Sequence, residues 1–173
     1  IATTVGERNL LWVAGIGGES GSANDMYILD KNLNMVGALK DLGIGERIYS
    51  VRFMGDYGYV VTFRETDPFF VIDLSKAEKP ELKGEVKIPG YSSYLHPLSQ
   101  DKILGMGKEG STVKLSIFDV SSSENPLELD RYMLNEYWSD ILTTHHAFLL
   151  DEKHEIFFLP ATNGGYVFSY KDN

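Results

Sequence analysis

The sequence contains no cysteine, which excludes disulfides and thiolate metal sites. It has no run of about 18 apolar residues, so nothing in it reads as a membrane-spanning helix. Clustered lysine and arginine are also missing. Sixteen basic residues stand against 25 acidic ones, for a formal net charge of -9. That balance argues against a nucleic-acid partner, because binding a phosphate backbone needs grouped cations. No long amphipathic helix is visible, and Asn135–Leu142 is the best candidate for a single helical turn. The strand–turn–helix elbow of the Gly-x-Ser-x-Gly kind is lacking. The glycine-rich stretch Gly15–Ser22 is not followed by Lys-Ser or Lys-Thr or by a helix, so it reads as a loop or hairpin tip and not as a phosphate cradle. There is no initiating methionine and no signal peptide. A start at Ile1-Ala2-Thr3-Thr4 reads as an internal portion of a longer chain.

What is present favours strands. Aromatic residues make up 12% of the chain, mostly tyrosine and phenylalanine. Arg47–Met54 alternates with a period of two, the pattern of a strand with two different faces. Gly55-Asp56-Tyr57-Gly58 reads as a tight turn with Gly58 free to take a positive φ. Phe69–Leu74 is nearly continuous in its apolar character, as expected of a strand covered on both faces. Further strands are predicted at Glu81–Ile88, Lys102–Met106, Val113–Val120, Leu127–Leu134, Glu155–Leu159 and Tyr166–Tyr170, and Ile141–Leu149 is read as a strand carrying His145 and His146.

One arrangement repeats. Phe70-Val71-Ile72-Asp73-Leu74-Ser75 ends in a carboxylate and is followed by a polar turn and Pro80; Ser116-Ile117-Phe118-Asp119-Val120-Ser121 leads in the same way to Pro126. Asp to Pro is seven residues in both cases. The short apolar strands end at Asp30, Asp73, Asp119 and Ser169, spaced by 43, 46 and 50 residues. A period of this size, with about four strands per unit, is that of a propeller blade. Asp73 and Asp119 are read as turn formers that accept hydrogen bonds from the backbone beyond them. Each proline precedes an edge strand, where a missing N–H is tolerated. The fold class is therefore all-β: a β-propeller segment of about four consecutive four-stranded antiparallel blades, with approximate limits 1–43, 44–90, 91–135 and 136–173. The first blade is expected to lack its innermost strand and the last its outermost one.

Gly45-Glu46-Arg47-Ile48-Tyr49-Ser50-Val51-Arg52-Phe53-Met54-Gly55-Asp56, Val60-Val61-Thr62-Phe63-Arg64 and Asp67–Ser75 resemble a family of secreted prokaryotic proteins with a C-terminal β-propeller domain, distantly related to WD-repeat propellers. Ile88-Pro89-Gly90, Ser93–Pro97 and Lys114–Ser121 continue the resemblance, which runs the length of the chain. It implies an extracytoplasmic protein, often archaeal, of which this chain is an internal portion. It brings no catalytic motif. Where relatives tend to show Asp-His-Lys-Ala-Phe, this chain has Thr144-His145-His146-Ala147-Phe148.

The residue chemistry gives several candidates and, for each, a plainer structural reading. The paired His145 and His146 are the most metal-like feature; neighbours on a strand point to opposite faces and so do not easily chelate one ion, and a site would need His96, His154 or a carboxylate brought in by the fold. His96 before Pro97 reads as a loop residue at a strand entry. Arg47, Arg52 and Arg64, near Glu65 and Asp67, read as ion-pair formers. Tyr57, Tyr91, Tyr94, Tyr137 and Trp138 either read a carbohydrate or peptide at one face or fill space between blades; the second reading is preferred. No catalytic, cofactor-binding or metal-binding residue is assigned, and no cofactor is expected. The functional expectation is a non-catalytic extracellular or cell-surface scaffold. Its partners would be a protein or a surface polymer and the remaining blades of a longer parent chain. The alternative is a hydrolase- or lyase-type enzyme with its site at the propeller channel.

Overall fold

The computed structural model describes residues 2–4, 8–14, 24–63 and 67–170, with the backbone alone for 2–14 and Asp67. The Gly15–Ser22 loop and Arg64 lie outside the described residues. The chain forms four antiparallel sheets in sequence order. The first holds β1 (Ala2–Thr4), β2 (Arg8–Ala14), β3 (Asn24–Leu29) and β4 (Met35–Leu42). The second holds β5 (Arg47–Met54), β6 (Tyr57–Phe63), β7 (Asp67–Asp73) and β8 (Glu81–Ile88). The third holds β9 (Tyr91–Pro97), β10 (Lys102–Glu109), β11 (Thr112–Asp119) and β12 (Leu127–Met133). The fourth holds β13 (Leu149–Asp151), β14 (Ile156–Ala161) and β15 (Gly164–Ser169). Every strand pairs with its sequence neighbour, the meander of a propeller blade. The expectation that the first unit lacks its innermost strand is corrected: β1 is there and pairs with β2, though it is only three residues long.

The cores lie between sheets, and strand periodicity puts them there. On β6, Tyr59 and Val61 face the third sheet while Val60 faces the first; on β7, Phe69 and Val71 go one way and Phe70 and Ile72 the other. The continuous apolar run at 69–72 is thus divided between two cores, and all four side chains are buried. Phe69 stacks on Phe118 across the second and third sheets, with centroids 4.3 Å apart and planes 8° from parallel. A further core joins Leu104, Met106 and Leu115 to Phe157 and Leu159 of the fourth sheet.

The outer turns follow one plan. Asp30 accepts from the backbone N–H of Asn32, Asp73 from that of Ser75 and Asp119 from that of Ser121, each at 2.8 Å. Lys79 N–H bonds to Lys76 O, and 46 residues later Asn125 N–H bonds to Ser122 O. Pro80 and Pro126 are both buried at the close of the turn. Each fourth strand then carries a bulge, leaving Val36, Lys83 and Leu129 as the extra residue. Beside the first two bulges lie Gly37 and Gly84. A Cβ on Gly37 would stand 2.1 Å from Ala77 O, and one on Gly84 would stand 2.6 Å from Ser123 O. The turn of the following sheet is seated on each glycine.

Two expectations about turns are revised. The positive φ in the β5–β6 hairpin belongs to Gly55 (φ 57°), whereas Gly58 lies within β6 against Phe53 and Leu74. The 141–149 stretch is no strand over most of its length. It forms two 3-10 turns, Asp140–Leu142 and His145–Ala147, and enters β13 only at Leu149. The helical turn expected within Asn135–Leu142 is the first of these.

Candidate functional site

The first strands of the first three sheets lie on the inner side. β5 runs beside β9, β1 touches β5, and the Asp140–Leu142 turn sits against β9. The Ser50 hydroxyl donates to Ser92 O at 2.7 Å and fixes β5 to β9. Both strands bulge at their third residue: Tyr49 is extra between Ile48 and Ser50, and Ser93 between Ser92 and Tyr94. A bulge turns the strand and re-aims its side chains. Here it brings residues of β5 and β9 to the wall of an open cavity of about 860 Å³, whose far side is the 141–145 segment. Arg52, Tyr49, Tyr91, Tyr94 and His145 line it, with serine and threonine hydroxyls between them.

Aromatic packing holds this wall. Tyr49, Phe63 and Tyr91 form a three-ring cluster with centroids 4.3–5.7 Å apart. Tyr94 and His96 pack on Phe148 at 5.7 and 4.5 Å. The Tyr94 hydroxyl and His96 Nδ1 are hydrogen-bonded at 3.0 Å. Burial, and then the charge of Arg52, hold His96 below its ordinary value, so its ring is neutral at pH 7. Burial pushes Tyr94 up, with Arg52 opposing in part. The pair is therefore uncharged, one group donating and the other accepting. Arg52 Nε is buried and has no hydrogen-bond partner among the described residues.

The residues singled out in the sequence divide clearly. Tyr91 and Tyr94 pack between structural units and also border the cavity, and Tyr57 packs on the core between the second and third sheets. Tyr137 and Trp138 stay exposed at 64% and 39%. His96 lies inside β9 and not in a loop, a correction that follows from β9 continuing to Pro97. The argument that His145 and His146 diverge also fails. They sit in a 3-10 turn, where their rings are 4.0 Å apart. No group of three or more acidic or histidine side chains within reach of one ion occurs among the described residues. His154 instead pairs with Asp151 at 2.6 Å in the exposed β13–β14 turn, and this contact lowers the Asp151 pKa. Arg47 is exposed on β5, and Arg64 lies outside the described residues.

One buried carboxylate escaped the sequence reading. Glu136, 5% exposed, accepts from the Tyr166 hydroxyl at 3.1 Å and from Asn163 Nδ2 at 3.3 Å, while its backbone O accepts from Val113 N–H. The bond to Glu136 is the first cause of a raised Tyr166 pKa. Glu136 thereby ties the third sheet to the fourth. It stands in a polar stretch of sequence with no periodicity, so nothing marked it as interior.

Successive antiparallel sheets, cores between them and inner strands around one cavity define a section of a β-propeller. The chain belongs to the β-propeller domain family, whose model matches residues 1–173. It is 58% identical over 149 residues to a protein of Archaeoglobus fulgidus named "Uncharacterized protein", covering 86% of this chain and 24% of that one. It is 49% identical over 174 residues to "Uncharacterized protein MJ1554" of Methanocaldococcus jannaschii, covering 100% of this chain and 27% of the relative. The chain thus spans about a quarter of the length of the curated relatives it matches. No helix among the described residues is long and apolar enough to cross a membrane.

Proposed function

We propose that this chain is part of a non-catalytic β-propeller, WD-repeat-like in its blades, that serves as an interaction scaffold on the outside of the cell. The observation that carries the reading is the make-up of the inner wall: tyrosines, hydroxyls and one guanidinium, set by bulges on two adjacent strands. These are groups of recognition, able to stack and to hydrogen-bond without reacting. The resemblance to secreted propellers supports the location. The partner is a protein or a surface polymer, and the remaining blades of a longer parent surround the same axis.

Protease shaving of intact cells, followed by immunodetection of the parent protein, tests the location. Loss of signal before lysis is expected, and a signal protected until lysis overturns it. A second reading, a hydrolase- or lyase-type enzyme at the channel, is favoured by the Tyr94–His96 pair, a neutral imidazole bonded to a phenol beside a cation. Release of products from acidic or neutral glycans incubated with the protein would replace the scaffold reading with this one.

A further inference from the structure

The inner cavity has an unbalanced charge. The protein carries a net charge of -9, yet none of the described residues lining this cavity is a carboxylate. Its cationic member is Arg52. Arg131, by contrast, pairs with Glu109 at 3.0 Å and with Glu128 at 2.6 Å. A guanidinium nitrogen withdrawn from water without an acceptor is costly, because a buried donor forfeits its bonds to water and gains none. Among the described residues no acceptor answers it, so the Arg52 guanidinium keeps a charge that nothing lining this cavity neutralises. The rest of the wall narrows the choice. Tyr49 and Tyr91 are held in a fixed aromatic cluster, and Ser93 and Thr143 also line the cavity. Aromatic faces flanked by hydroxyls suit a polyhydroxylated ring, and the guanidinium suits a carboxylate carried on it.

We propose that the cavity between β5, β9 and the 141–145 segment binds a uronate, an acidic sugar whose carboxylate meets Arg52 and whose ring lies against the tyrosine wall. The proposal deepens the scaffold reading, on which it rests, by naming the chemical class of the surface polymer. Its geometry needs no metal and no proton transfer. His96 does not line the cavity, and its hydrogen bond to the Tyr94 hydroxyl keeps Tyr94 oriented, as a positioning residue.

Titration calorimetry with digalacturonate, its methyl ester and acetate tests this. Digalacturonate is expected to bind, the uncharged ester about tenfold more weakly or worse, and Arg52→Gln to cause a similar loss, while Arg52→Lys retains part of the affinity. No binding of digalacturonate, equal binding of the ester, or an unchanged affinity in Arg52→Gln overturns the site. Displacement by acetate at the same concentration as digalacturonate overturns the sugar and leaves a bare anion site. If Arg52→Gln does not fold, the ester comparison and Arg52→Lys still decide. Binding accompanied by cleavage of digalacturonate upholds the site and overturns the non-catalytic reading, so the two failures are distinguishable.

Discussion

The outer turns and the inner wall of this protein are built from the same strands but obey different rules. At the outside, Asp30, Asp73 and Asp119 make one hydrogen bond of one length, and Gly37 and Gly84 receive the next turn in one way. At the inside the backbone device is shared, since β5 and β9 bulge at the same position, but the side chains are not: Arg52 of β5 has no cationic counterpart in β9. A side chain that recurs in every unit serves the architecture common to all units. One that occurs once, on a scaffold otherwise repeated, answers to something the repeat does not contain.

That contrast makes graded predictions. The largest effect is expected at a core shared by two sheets. Phe118→Ala removes a fully buried ring stacked on Phe69 and is expected to cost about 4 kcal/mol in urea unfolding. Next comes the docking of one unit on another. Gly84→Ala places a methyl group against Ser123 O and Glu124 O, backbone atoms with little room to yield, and is expected to cost about 2 kcal/mol. A cost near zero there would mean that the seated turn is loose and that the units are held by their cores alone.

The turn carboxylates come third. The hydrogen bond from Ser75 holds the Asp73 pKa down, and that from Ser121 does so for Asp119. A folded-state pKa below the unfolded one gives stability that is present above the unfolded value of about 3.9 and is lost as pH falls through the folded value. The double variant Asp73→Asn/Asp119→Asn is therefore expected to unfold with a flatter acid limb, at a cost at neutral pH of about 1 kcal/mol per turn or less. An unchanged acid limb would remove these aspartates from the architecture. The smallest effect is expected on the inner wall. Arg52→Gln is expected to cause no loss of unfolding free energy, since it removes a buried nitrogen that makes no hydrogen bond among the described residues. A large loss there would erase the distinction between the two regions.

The repeat was legible because the outer strands and turns impose local chemistry. Aspartate at a strand end, proline before an edge strand and an apolar run divided between two faces all leave marks within ten residues of sequence. Gly37 and Gly84 share a spacing close to that of the aspartates, but their meaning was hidden, because the clash that forbids a side chain is with a turn about 40 residues further on. The inner wall was the least legible part. The histidines at 145 and 146 sit in an apolar setting that looks like a strand, yet Thr144 caps a 3-10 turn by accepting from His146 N–H. Arg52 looked like any strand arginine near carboxylates. Only the fold shows that it lines a cavity together with tyrosines and hydroxyls.

The glycine beneath each bulge has one more consequence. Each of the first two units presents a vacancy shaped to a peptide turn, and the following unit supplies that turn, so every unit is at once a socket and a plug. A tandem duplication of such a unit would join its neighbours through contacts already encoded at both ends. Rings of this kind can lengthen by copying, with no new interface to invent, and the inner strands are then left to diverge one at a time.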